Sequence, residues 1–194
     1  MTMAETTDLE TVSSEALQKL GRYIVNFSKV EGALKYLLSV SKFDDISKES
    51  LSKNQERLRK QSLGRLVQEF HNTVMVNDVQ SESQPESSSE GISLSFNITY
   101  EDLDFLKAQK QALSNIVAER NRLIHQDLAL LDINSIEDYR KLINLLDEQN
   151  PRLLAHLSNF GWILKSFNEV FKDFQSFVKS PDFPKFISSD HPDA

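Results

Sequence analysis

The stretch EALQKLGRYIVNFSKVEGALKYLL, residues 15–38, decides the fold class. Leu17, Leu20, Ile24, Phe27, Glu31, Leu34 and Leu38 recur at alternating steps of three and four, the spacing that lines one face of an α-helix. Upstream, Thr7 with Glu10 has the form of a capping box that would open this helix. Glu31 is the one charged member of the face.

Working outward, SKFDDISKES (41–50) interrupts the pattern. A second helical stretch follows through Leu51, Leu58, Leu63, Leu66, Val67 and Phe70, with Gly64 as a candidate break inside it. Residues 77–91, NDVQSESQPESSSEG, are polar and acidic, with too little apolar surface to offset ordering, so a mobile surface loop is expected there. Ile92, Leu94, Phe96 and Ile98 then alternate with polar residues, as in a half-buried strand that would pair with TVMV (73–76) as a small hairpin. An irregular loop with apolar anchors reads equally well.

Thr99 with Asp102 signals the next helix start, and Leu103, Leu106, Leu113, Val117, Arg120 and Ile124 form its face, interrupted by Lys110. DINS (132–135) ends or bends this third helix. Ser135 with Asp138 opens a fourth stretch through Tyr139, Leu142 and Leu146. Asn150 and Pro151 then take the form of an N-cap and first residue of a last helix through Leu154, Leu157, Phe160, Leu164, Phe167, Phe171 and Phe174. The expected fold is all-α, an antiparallel bundle of four to five helices with residues 77–98 as a flexible insertion. One domain would span 1–179, with a loose tail over 180–194.

Composition narrows the functional classes. Of 194 residues, 39% are hydrophobic and 26% charged, with only five glycines and five prolines, a balance that suits a soluble helical protein. The absence of cysteine removes disulfides, thiolate metal sites and cysteine nucleophiles, and fits a reducing cytoplasm. No apolar leader opens the chain and no run approaches the roughly 18 residues of a membrane span, so no membrane association is expected. A formal net charge of −7 argues against coating long nucleic acid, which needs a broad basic face, but leaves local contact with RNA open. His71, His125, His156 and His191 show no metal-ligand spacing, no glycine-rich phosphate loop or GxSxG elbow is present, and neither metal nor cofactor is expected.

Chemistry concentrates in ERNRLIHQD, residues 119–127. On an ideal helix Arg120 falls on the apolar seam with Val117 and Ile124, while Asn121 and His125, four apart, are neighbours on an adjoining face. Arginine supplies a permanently charged fork for phosphate, and histidine exchanges protons near neutral pH. Side chains at a seam margin also serve simply to cover the core and bond a neighbouring helix, and spacing alone does not separate the two readings.

The six residues RNRLIH (120–125) resemble the R-polar-x3-H signature of the HEPN superfamily, whose members are helical bundles and often metal-independent endoribonucleases. The long helix FSKVEGALKYLL (27–38), the helix SLGRLVQEF (62–70) and the place of the motif late in the third main helix agree with it. The likeness covers roughly residues 9–178 as a pattern. It implies that Arg120, Asn121 and His125 are catalytic and that Glu31 completes the site, although Glu31 reads equally as a buried ion-pair partner of Arg120. It further implies RNA as substrate, a homodimer, and a toxin or phage-defence effector with an antitoxin or defence-system partner protein. The alternative is a non-catalytic helical module binding a nucleotide, RNA or a protein. Where nucleotidyltransferase-paired HEPN toxins carry a modified tyrosine two places after the histidine, this chain has Asp127, so control by that modification is not expected. Lys53, Arg57, Arg59, Lys60 and Arg65, with Arg122 beside the motif, are candidate RNA contacts, or equally a solvated face.

Overall fold

The computed structural model describes residues 3–43, 48–77 and 94–184. Five α-helices account for most of them: α1 (Met3–Ser41), α2 (Lys48–Arg59), α3 (Leu63–Thr73), α4 (Leu103–Arg122) and α5 (Ile136–Val178). A π-helical turn, Leu123–Asp127, prolongs α4. The all-α class is what the sequence led us to expect.

Contacts fix the directions. Lys19 Nζ bonds Asp147 Oδ1 at 2.6 Å and Asn26 Nδ2 bonds Asn150 Oδ1 at 3.0 Å, so α1 and α5 advance together and are parallel. A Cβ at Gly64 would sit 3.9 Å from Val117 and Lys110 acts electrostatically on His71, so α3 and α4 are antiparallel. An up-down order through five helices makes the first and the fifth parallel, and these two share the largest interface. Consecutive helices α3 and α4 are antiparallel as expected, and the parallel α1–α5 pair is what an up-down order of five helices gives.

The buried stripe of α1 is Ala16, Tyr23, Val30 and Leu37, with Phe27 and Leu34 beside it. Leu17 and Ile24, expected in the core, are 55% and 47% exposed. The buried arc is rotated because α1 packs on α5 along one side and on α3 along the other, and its centre lies between them. The same shift occurs in α5, where Leu153 is buried and Leu154 exposed, and along α4 and its π turn, where Ile116 and Leu123 are buried.

Local signals fared unevenly. Ser135 caps α5 as expected, its side chain accepting from the Asp138 amide. Asp102, not Thr99, caps α4, accepting from the amides of Asp104 and Phe105, because Thr99 is taken up by a strand. Thr7 does not open α1, which begins at Met3, and the Thr7 carbonyl accepts from Thr11 Oγ1 at 2.9 Å. The second stretch does divide, at Lys60–Ser62, with Gly64 in the first turn of α3.

Pro151 starts no helix. It lies inside the continuous 43-residue α5, although proline removes a helical hydrogen bond and crowds the preceding turn. Leu146 and Gln149 before it and Leu153 after it are all buried, and the Asn150 side chain is engaged by Asn26 rather than by its own backbone. Packing along both flanks outweighs the local break.

The expected hairpin takes another form. β2 (Met75–Asn77) pairs in parallel with β4 (Ile98–Tyr100), and β1 (Lys42–Phe43) pairs antiparallel with β3 (Leu94–Ser95). A tight hairpin gives antiparallel neighbours, whereas parallel ones need a crossover of a dozen or more residues, and the chain between Asn77 and Ile98 is long enough. Most of the 77–91 loop and the tail from residue 185 lie outside the described residues. Residues 180–184, expected to be loose, bend back so that Phe183 packs edge-on against Phe177 with ring centroids 5.7 Å apart.

Candidate functional site

The motif sits where α4 changes its pitch. Arg120 and Asn121 belong to the last α-helical turn and His125 to the π turn, in which the Leu128 amide bonds the Leu123 carbonyl at 2.9 Å. In an α-helix His125 would point about 140° around the axis from Arg120. A π turn advances less per residue, which narrows that angle, but His125 is not among the residues that line the cleft of Arg120. Such turns recur at functional sites. Leu123, fully buried, anchors the turn, while Asn121, Arg122 and His125 are exposed and Arg120 is half-buried.

Glu31 and Arg120 line one cleft. It holds about 70 Å³ and is lined from α1 by Tyr23, Phe27 and Glu31 and from α4 and the π turn by Arg120, Leu123 and Ile124. Ligand pockets for small molecules run to about 300–1,000 Å³, so this cleft admits a phosphate-sized group or a few waters and does not enclose a nucleotide. No ion pair crosses it among the described residues. Glu31 Oε1 accepts from Lys35 Nζ at 2.6 Å, and Arg120 Nη1 donates to Asn121 Oδ1 at 3.1 Å. The direct Glu31–Arg120 pair expected from the sequence is absent because Lys35, one turn along α1, is the nearer cation.

Sequence reading missed Tyr23, Glu119 and Arg152. Arg152 of α5 meets Glu119 of α4 at 3.0 Å. Tyr23, 2% exposed, has its hydroxyl pushed up to about 12, first by burial and then by the charge of Glu119, against the downward pull of Arg152, Arg122 and Arg120. One phenol thus senses four charged groups from two helices. The seven-residue recurrence of Ala16, Tyr23, Val30 and Leu37 was a readable signal for Tyr23, whereas nothing local marks Arg152.

The proposed RNA contacts divide. Arg57 forks onto Glu69, with Nη1 to Oε2 at 2.9 Å and Nη2 to Oε1 at 2.6 Å, and this bonding holds the Glu69 carboxyl below its ordinary range. Lys60 pairs with Glu56 at 2.7 Å, and Arg122 lies 3.4 Å from Asp127. The latter is a charge contact only, since Asp127 Oδ2 is buried without a hydrogen bond. Lys53, Arg59 and Arg65 are exposed. No helix among the described residues is long and apolar enough to cross a membrane.

No family model matches this chain, and no curated protein or solved structure does either.

Proposed function

We propose that the protein is an endoribonuclease of the HEPN type, a cytoplasmic toxin or phage-defence effector that cuts RNA through the substrate's own 2'-hydroxyl. One observation carries this reading. Among the described residues, Arg120 stands at a cleft of phosphate size with one neutral hydrogen-bond partner, the Asn121 amide oxygen, next to a π turn that presents an exposed histidine. A guanidinium bonded only to an amide keeps its charge available for an anion.

In this mechanism the phosphodiester lies across the mouth of the cleft. His125 takes the proton from the 2'-hydroxyl, the 2'-oxygen attacks phosphorus, and the bond to the 5'-oxygen breaks as that oxygen gains a proton. Arg120 stabilises the charge that develops on the phosphoryl oxygens, and Asn121 holds the guanidinium in place. The motif brings one histidine per chain, so a homodimer would supply His125 of a second copy as the acid. The reaction requires no metal. Labelled single-stranded RNA incubated with the protein and EDTA tests it: cleavage is expected from the wild type and lost in His125→Ala and Arg120→Ala at unchanged helicity.

Leu130 and Ile133 are 83% and 68% exposed in the loop that follows the motif. They favour a second reading, a non-catalytic module that docks a partner protein there, which the absence of cleavage by the wild type would support.

A further inference from the structure

Three carboxylates belong to the same region as Arg120: Glu31 on the cleft wall, Glu119 next to it in the chain, and Asp127 in the π turn. Each faces another cation. Glu31 bonds Lys35 at 2.6 Å, Glu119 meets Arg152 at 3.0 Å, and Asp127 lies 3.4 Å from Arg122. The first pair follows from helical spacing within α1 and the last from proximity at the end of α4. The Glu119–Arg152 pair alone is made by the fold, joining α4 to α5.

We infer that Arg152 is a positioning residue, which holds Glu119 off Arg120 so that the Arg120 guanidinium stays free for phosphate. This rests on the nuclease reading above. The Glu119 side chain is 22% exposed, so without a partner it would be a poorly hydrated charge, and such charges seek the nearest cation. Along α4 those cations are Arg120, the next residue in the chain, and Arg122, one turn on; the Arg120 guanidinium already reaches its other chain neighbour, Asn121. On its far side Arg152 lies 3.7 Å from Glu148, whose side chain is 73% exposed. That looser contact steadies Arg152 without competing for it, because the Glu148 carboxylate remains hydrated.

Arg152 touches no reacting atom in this account. Its loss acts through Glu119, so removing the Glu119 charge as well must undo the damage. In RNA cleavage by the full chain, Arg152→Gln is expected to raise KM about tenfold with kcat changed by less than about threefold, since losing free guanidinium charge weakens substrate phosphate binding first. Glu119→Gln should stay within about threefold of wild type, and Glu119→Gln/Arg152→Gln should return to that range. A double variant as impaired as Arg152→Gln, or an Arg152→Gln variant with unchanged KM, overturns the proposal.

A stability cycle separates this proposal from the nuclease reading. In the wild-type background, Glu119→Gln and Arg120→Gln should change the unfolding equilibrium constant independently. In the Arg152→Gln background the two should deviate from independence by about fivefold, the mark of a new Glu119–Arg120 contact. Independence in both backgrounds refutes the positioning role even if the protein cuts RNA. Coupling in the second background sustains it even if no RNA is cut.

Discussion

Replacing Pro151 by alanine should stabilise the protein. Pro151 is exposed and lies inside the 43-residue α5, so the substitution removes no core contact, restores an amide that can bond the Asp147 carbonyl, and relieves the ring's clash with the preceding turn. Proline in a helix interior costs about 3 kcal/mol relative to alanine. A long helix held on both flanks absorbs part of this by bending, which leaves a gain of about 2 kcal/mol. At roughly 2–4 °C per kcal/mol for a domain of this size, thermal melting followed by circular dichroism should move up by about 4–8 °C. The opposite outcome is equally informative. If the chain restarted a helix with Asn150 as cap, Pro151 would occupy the position where proline is favoured, and alanine would leave the melting temperature unchanged or lower it. Either result would refute a continuous α5.

Three other substitutions probe the fold and its charges. Leu153→Ala should cost about 2–5 kcal/mol in denaturant unfolding, whereas Leu154→Ala, on the exposed side, should cost less than about 1 kcal/mol; equal losses would show the buried arc to be misplaced. Asp102→Ala should lower stability by about 1 kcal/mol through loss of two capped amides, while Thr99→Ala should have little effect on α4, and the reverse order would place the cap at Thr99. Burial and the nearby Lys110 charge depress His71 to about 4 from an ordinary 6.5, so the unfolded chain binds its proton first. Its contribution to stability is present above pH 6.5 and is lost as pH falls towards 4. A His71→Gln variant should flatten that part of the stability–pH curve, and an unchanged slope would contradict the assignment.

The periodicity of the sequence was enough for the class of fold and for the approximate extent of most helices, because a 3.6-residue repeat survives small errors of phase. Phase itself was less legible. Leu17 and Ile24 fit a three-four pattern as well as Ala16 and Tyr23 do, and only the positions of α3 and α5 on either side of α1 decide which set is buried. Pro151 was misleading for a related reason: its local cost is about 3 kcal/mol, which the burial of Leu146 and Leu153 on its two sides outweighs, and a local reading cannot weigh contacts made with another helix. Strand pairing was beyond reach because the direction of β2 against β4 depends on the path between them.

At the candidate site, the resemblance implied that Arg120, Asn121, His125 and Glu31 act together; Glu31 and Arg120 line one cleft, whereas Asn121 and His125 are not among its lining residues. What the sequence could not show was the partnering of the charges. Glu31 reads as a partner for Arg120 until Lys35 is seen beside it, and Arg152 is 32 positions from Arg120 yet meets the residue next to it. The π turn was also hidden, since LIHQD carries no residue that forbids an ordinary α-helical turn.

Cleavage of an RNA carrying a single 2'-O-methyl group at the scissile nucleotide tests the central claim most directly. With the unmodified RNA, the account predicts products ending in a 2',3'-cyclic phosphate and a free 5'-hydroxyl, because the internal 2'-oxygen, held beside phosphorus by the substrate itself, is the nucleophile on which His125 and Arg120 act. Methylation removes the proton that His125 must take and blocks that oxygen, so cutting at that position should stop while neighbouring sites continue to be cut. Cleavage at the methylated nucleotide by the wild-type protein would contradict the mechanism.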